Sequence, residues 1–247
     1  MKLKNILAIF LVLGTVLLLS MRGQEDYNNE KALQGAWSFT QDGDKYIMLV
    51  QDGYCMFTQY NLANKKFILT TGGPYTIENG LLKVQVQFNS ADKNSAGKTR
   101  EYTFIVRENE LITNTMDGSI SFTWKRIDSG DKHLAGNWRI TQRKQGDQMV
   151  DIPLRARRTL KLLTATRFQW AAINVETGEF FGTGGGTYSF QDGKYTENIE
   201  FFSRDDSRVG MSLTFDGKLD DGKWIHSGKS SKGDPIYEVW ERFQDKK

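Results

Sequence analysis

Short runs in which apolar and polar residues alternate follow one another along most of the chain. Residues 82–88 and 102–106 are two such runs, rich in β-branched and aromatic side chains. Alternation with a period of two places the apolar side chains on one face of a strand. An Asp or Asn followed by Gly favours the positive φ angles of a tight hairpin. Such pairs are Asp52-Gly53, Asn79-Gly80, Asp117-Gly118, Asp192-Gly193, Asp216-Gly217 and Asp221-Gly222. The pattern predicts an all-β chain of antiparallel hairpins.

The same strand pattern occurs twice. Gly35-Ala36-Trp37 opens one segment and Gly136-Asn137-Trp138 opens the next. The first segment closes on Trp124-Lys125-Arg126 and the second on Trp240-Glu241-Arg242. Self-similarity over a whole segment indicates two copies of one structural unit. We therefore predict two domains, at residues 31–127 and 134–243.

The ends of each copy resemble a known signature. An antiparallel sheet of this size removes its edges by closing into a barrel. Gly-x-Trp on the first strand and Arg on the last resemble the lipocalin and calycin superfamily, and the chain is similar to lipocalin-like domains of exported Bacteroidetes-type proteins. The resemblance implies two tandem antiparallel lipocalin-like β-barrels. In each, an Arg packs over a Trp to close the barrel: Arg126 over Trp37, and Arg242 over Trp138.

The first residues have the layout of a secretory signal. Lys2 and Lys4 precede an apolar stretch at residues 6–19, after which the chain turns polar. This stretch is shorter than the roughly 20 apolar residues of a membrane-spanning helix. We predict a signal peptide at residues 1–23 and an exported protein that is periplasmic, surface-associated or secreted. The alternative is an uncleaved segment, which would be the chain's contact with a membrane.

Composition and motifs argue against several classes of function. The net charge is +3, and the basic residues are interspersed with acidic ones, which disfavours nucleic acid as a partner. The two histidines and the single cysteine, Cys55, form no metal-ligand spacing. No nucleophile motif is present, so we expect no catalytic residues and no cofactor. The sequence favours a protein that is not an enzyme.

The second copy is longer than the first between its opening Trp and its Gly-x-Tyr turn. The extra residues fall mostly at 142–158, in the connection that forms a lid in lipocalins, which makes them candidates for binding. One reading is that Arg155, Arg157 and Arg158 meet an anionic group of a ligand; the other is a solvated basic loop. The aromatic side chains expected to line the ligand site are Phe168, Trp170, Tyr188 and Phe201.

The sequence leaves three hypotheses for function. The first is an exported, non-enzymatic binding protein that holds a small lipophilic or anionic ligand in the second barrel. The second is a structural or interaction module with filled barrels, which binds a protein or glycan partner. The third is an isomerase or cyclase that acts by the shape of its cavity. A barrel of about eight strands can be filled by side chains or can hold one small ligand, so the strand pattern does not choose among them.

Overall fold

A computed structural model describes residues 29–230 and 232–244, and these form two closed antiparallel barrels. The strands of the first are β1 (Gly35–Gln41), β2 (Asp44–Gln51), β3 (Tyr54–Asn61), β4 (Lys66–Glu78), β5 (Leu81–Gln85), β6 (Phe88–Asn89), β7 (Thr99–Arg107), β8 (Glu110–Thr115) and β9 (Ser121–Asp128). Eight of them close the barrel in the order β3-β2-β1-β9-β8-β7-β5-β4, where β4 pairs again with β3. The short strand β6 pairs with β4.

The second barrel repeats this arrangement. Its strands are β10 (Gly136–Gln145), β11 (Gln148–Asp151), β12 (Arg157–Leu163), β13 (Arg167–Asn174), β14 (Glu179–Gln191), β15 (Lys194–Phe202), β16 (Ser212–Asp220), β17 (Lys223–Lys229) and β18 (Pro235–Arg242). All except β11 close the barrel, through pairing of β10 with β18. The predicted all-β fold of two tandem antiparallel barrels is confirmed. The predicted signal peptide lies outside the described residues, and no described helix is long and apolar enough to cross a membrane.

Four of the six pairs predicted to form hairpin turns have positive φ at both residues, and at Asp117-Gly118 only the glycine does. Asp52 and Gly53 have φ angles of 50° and 72°, as a turn of this kind requires. Asp216-Gly217 is instead inside β16, so the turn predicted there is wrong. A Cβ on Gly217 would lie 2.8 Å from the Phe190 ring. Glycine is needed at this position for close packing rather than for a turn.

Each barrel is closed at one end by an Arg that covers a Trp. Cζ of Arg126 lies 3.9 Å from the centroid of the Trp37 ring, and Cζ of Arg242 lies 4.7 Å from that of Trp138. The guanidinium groups also donate to backbone carbonyls, for example from Arg126 to Ala32 at 2.8 Å. The stacking and these hydrogen bonds fix the end of the last strand against the start of the first.

The barrels pack side by side through an apolar cluster. Its members on β2 and β3 include Leu49 and Met56, and those on β12 and β13 include Leu162 and Ile173, all at most 1% exposed. The closed ends also meet, because the Asp128 carboxylate accepts hydrogen bonds from the Thr164 and Thr166 hydroxyls at 2.8 and 2.6 Å. The two barrels are therefore joined by a continuous core, not by a linker alone.

Candidate functional site

The first barrel encloses a cavity of about 780 Å³. Inward-facing side chains from most of its strands line the cavity, and most of them are apolar, including Met48, Cys55, Leu82, Val84 and Trp124. Alternation along each strand sends these side chains inward and their neighbours outward. A cavity of this volume is within the range of small-molecule sites in proteins.

The cavity reaches the end of the barrel opposite the Arg126–Trp37 closure. Met116 and Ile120, on the turn between β8 and β9, line the cavity and are 55% and 47% exposed. Exposed apolar side chains beside an apolar cavity give a molecule an unbroken apolar path into the barrel. We therefore take this end as the mouth.

Two polar groups inside the cavity are paired with the protein, whereas the Tyr75 hydroxyl has no hydrogen-bond partner among the described residues. The Thr113 hydroxyl accepts a hydrogen bond from Nε1 of Trp124 at 3.0 Å. The Cys55 thiol donates to the Gly73 carbonyl at 3.6 Å, and burial raises the pKa of this thiol to about 12. The charged lining residues, Arg100 and Glu101, are both exposed. The interior thus suits the uncharged, apolar part of a ligand, because it offers no unpaired charge.

Strand register shows which side chains occupy equivalent places in the two barrels. Met48 pairs with Trp37 as Lys161 pairs with Trp138, and Cys55 pairs with Gly73 as Phe168 pairs with Gly186. Five of the equivalent interior positions, first barrel then second, are Met48 and Lys161, Cys55 and Phe168, Leu82 and Tyr195, Val84 and Glu197, and Leu111 and Trp224. Three of the second barrel's residues are aromatic where the first barrel has smaller side chains. At Cys55 and Leu82, which line the cavity of the first barrel, the second barrel has the larger rings of Phe168 and Tyr195 in its interior cluster.

A buried ion pair lies among those side chains. Nζ of Lys161 is 2.7 Å from Oε1 of Glu197, and the two side chains are 7% and 6% exposed. The Tyr195 hydroxyl donates to the same carboxylate oxygen at 2.9 Å. The Lys161 ammonium also lies 5.3 Å from the Trp224 ring centroid and 5.2 Å from that of Trp240. A buried ammonium is stabilised here by a carboxylate and by aromatic faces together.

A second buried carboxylate completes the interior. Oε1 of Glu238 accepts hydrogen bonds from Nε and Nη2 of Arg143 at 3.1 and 2.7 Å. Nε2 of His226 lies 3.2 Å from Oε2 of Glu238, but neither ring nitrogen has hydrogen-bond geometry to any acceptor among the described residues. Burial raises the pKa of Glu238, but His226, Arg143 and Lys161 outweigh that effect and lower it to about 2. Burial lowers the pKa of His226.

The residues predicted to bind a ligand do not surround one space. Arg155 is exposed, and its carbonyl accepts a hydrogen bond from Nε of Arg158 at 3.1 Å. Cζ of Arg157 lies 4.4 Å from the Phe181 ring centroid, and that of Arg158 lies 5.4 Å from the Phe243 centroid. These contacts fit the reading of a solvated basic segment that covers neighbouring rings.

The four predicted aromatic residues are divided between two regions. Phe168 and Tyr188 are buried inside the second barrel, with Trp170 packed against their cluster. Phe201 lies instead between the barrels, 4.9 Å from Tyr60. A bulge causes this: Ile199 pairs with Gly186 and Phe201 with Gly185, so the residue between them is unpaired and the alternation shifts. Placing Phe201 in the same ligand site as Phe168 is therefore corrected by the structure.

A second cavity, of about 1010 Å³, lies where the closed ends of the barrels meet. Its walls are partly polar, and three of its four charged lining residues, Asp52, Glu78 and Lys83, are in ion pairs. Asp52 lies 3.0 Å from Nη1 of Arg242, and Lys83 lies 3.1 Å from Glu78. This groove does not offer a ligand an apolar enclosure, so the cavity of the first barrel is the better candidate site.

Comparison with known proteins assigns no activity. The model of a family described as a domain of unknown function, DUF4488, matches residues 133–247, which contain the second barrel. No curated protein matches the sequence. The first barrel, which holds the cavity, lies outside the matched residues.

Proposed function

We propose that this is a non-enzymatic binding protein of the lipocalin-like type, which takes a small, largely apolar molecule into the first barrel. The observation that carries the proposal is the contrast between the two interiors. Cys55 and Leu82 line a cavity in one barrel, whereas Phe168 and Tyr195 fill the equivalent places in the other. An apolar cavity with an apolar mouth lowers the free energy of a molecule that leaves water for it.

The proposal differs from the sequence hypothesis in the barrel that binds. The extra residues of the second copy favoured a ligand in that barrel, but its interior holds Lys161, Glu197 and a set of aromatic rings. The filled interior supports the alternative of a structural module for the second barrel alone. Export to the periplasm, the cell surface or the medium remains part of the proposal, and its support is the sequence of residues 1–23.

Titration of the full chain with N-phenyl-1-naphthylamine tests this function. The probe is apolar and uncharged, and its fluorescence rises when it leaves water. We expect saturable binding of one molecule per chain, and displacement by a long-chain alcohol. Absence of saturable binding, or equal binding at two sites, would contradict the proposal.

A further inference from the structure

We propose that the ligand is amphipathic, with an acidic head group that Arg100 binds at the mouth while the apolar body fills the first barrel. This inference rests on the proposed function and specifies the ligand's chemical class. Arg100 pairs with Val84, and Tyr102 pairs with Leu82 two residues further along β7. The even-numbered residues of this strand, Tyr102 and Phe104, pack against the interior cluster, so Arg100 belongs to the inward face at the open end.

The second barrel shows that an Arg is not required at this position by the fold. Leu213 pairs with Glu197 as Arg100 pairs with Val84, which makes the two residues equivalent. Leu213 packs against the interior cluster of the filled barrel. The barrel that has a cavity thus carries a guanidinium where the filled barrel carries a leucine.

The Arg100 guanidinium is held in place and makes no direct salt bridge among the described residues, although it lies near enough to the Asp92 carboxylate to help lower the pKa of that group. Its Nη2 donates to the Ser95 hydroxyl at 3.1 Å, and that hydroxyl donates to Oδ2 of Asp92 at 2.6 Å. Across residues 29–230 and 232–244, no carboxylate oxygen lies within 4.0 Å of the guanidinium. The neighbouring Glu101 lies 3.6 Å from Nζ of Lys83. Donors of Arg100 are therefore available to an anion that arrives at the mouth.

The rest of the cavity explains why only one end of the ligand carries charge. The side chains below Arg100 include Val84, Leu82 and Phe122, which cannot solvate an ion. A carboxylate, sulfate or phosphate group has its lowest free energy at the rim, where water and Arg100 both reach it. A molecule with an alkyl or ring body and one acidic end matches both parts of the site.

Displacement of N-phenyl-1-naphthylamine by dodecanoate and by dodecanol tests the inference on the full chain. The two compounds have the same alkyl length but differ in charge. At a mildly alkaline pH, we expect dodecanoate to displace the probe at a roughly threefold to tenfold lower concentration, as for a partly exposed ion pair. Arg100→Leu introduces the residue that the second barrel has at this position. In this variant, dodecanoate and dodecanol should displace the probe at nearly equal concentrations. Circular dichroism verifies that the variant is folded.

Arg107→Leu is the matched control. Arg107 lies on the same strand, faces outward near the closed end and pairs with Glu110 at 3.6 Å, so its loss changes the net charge equally without touching the cavity. The dodecanoate preference should persist in this variant. The role of Arg100 is overturned if the wild type and Arg100→Leu prefer dodecanoate over dodecanol equally. It is also overturned if the wild type shows no preference for dodecanoate. Failure of the probe itself to bind would instead overturn the proposed function.

Discussion

Replacing Glu197 with valine should lower the free energy of unfolding by about 3–5 kcal/mol, because it leaves the buried Lys161 ammonium without its anion. Valine is the residue that the first barrel has at the equivalent position, Val84, so its size and shape suit a barrel interior. The loss is electrostatic rather than steric. Urea denaturation of the full chain measures it.

The double variant Lys161→Met, Glu197→Val is the control for this prediction. It gives the second barrel the pair that the first barrel has, Met48 and Val84, and removes both charges together. We expect it to recover most of the stability, with about 1 kcal/mol still missing because the Tyr195 hydroxyl loses its acceptor. A double variant as unstable as Glu197→Val alone would show that the unpaired Lys161 ammonium does not account for the loss.

Cys55→Phe should abolish most ligand binding to the first barrel without destabilising it. The new ring occupies the cavity as Phe168 occupies the second barrel, and it faces the same kind of partner, since Gly73 and Gly186 are equivalent. We expect the affinity for N-phenyl-1-naphthylamine to fall by at least about tenfold, because several apolar contacts of the probe are displaced. Stability should stay constant or rise by about 0.5–2 kcal/mol, as for other substitutions that fill cavities.

Ile105→Phe is the matched control for this variant. Ile105 is on β7 of the same barrel but is 51% exposed on the outer face. The substitution adds a ring to the outer surface of the barrel and not to the cavity, so the affinity for the probe should not change. A loss of stability of about 1–3 kcal/mol in Cys55→Phe would indicate that the ring overpacks an interior that is already filled.

The sequence predicted the fold because its strongest signals are local and repeated. Gly-x-Trp and the terminal Arg recur at matching places, and the Trp and Arg are in contact in each barrel. The prediction of a turn at Asp216-Gly217 was wrong. There the glycine is needed because the Phe190 ring lies beside it, a contact that depends on the pairing of distant strands.

The ligand site was harder to predict because it depends on side-chain size at paired positions. The greater length of the second copy favoured Arg155, Arg157 and Arg158 as ligand-binding residues. In the structure they lie on or near the outer surface. The difference between Cys55 and Phe168 decides which barrel has space, and it becomes informative once strand register shows that they are equivalent. The burial of Lys161 was hard to predict for the same reason, because it depends on which side chain faces it across the barrel. A lysine is stable inside a barrel when a carboxylate faces it.

A crystal of the protein equilibrated with xenon tests the central claim most directly, because xenon enters apolar cavities and is located by its electron density. We predict xenon inside the first barrel, beside Cys55 and Leu82, and none between Lys161 and Trp224 in the second. Xenon inside the second barrel, or a first barrel that takes up none, would contradict the account.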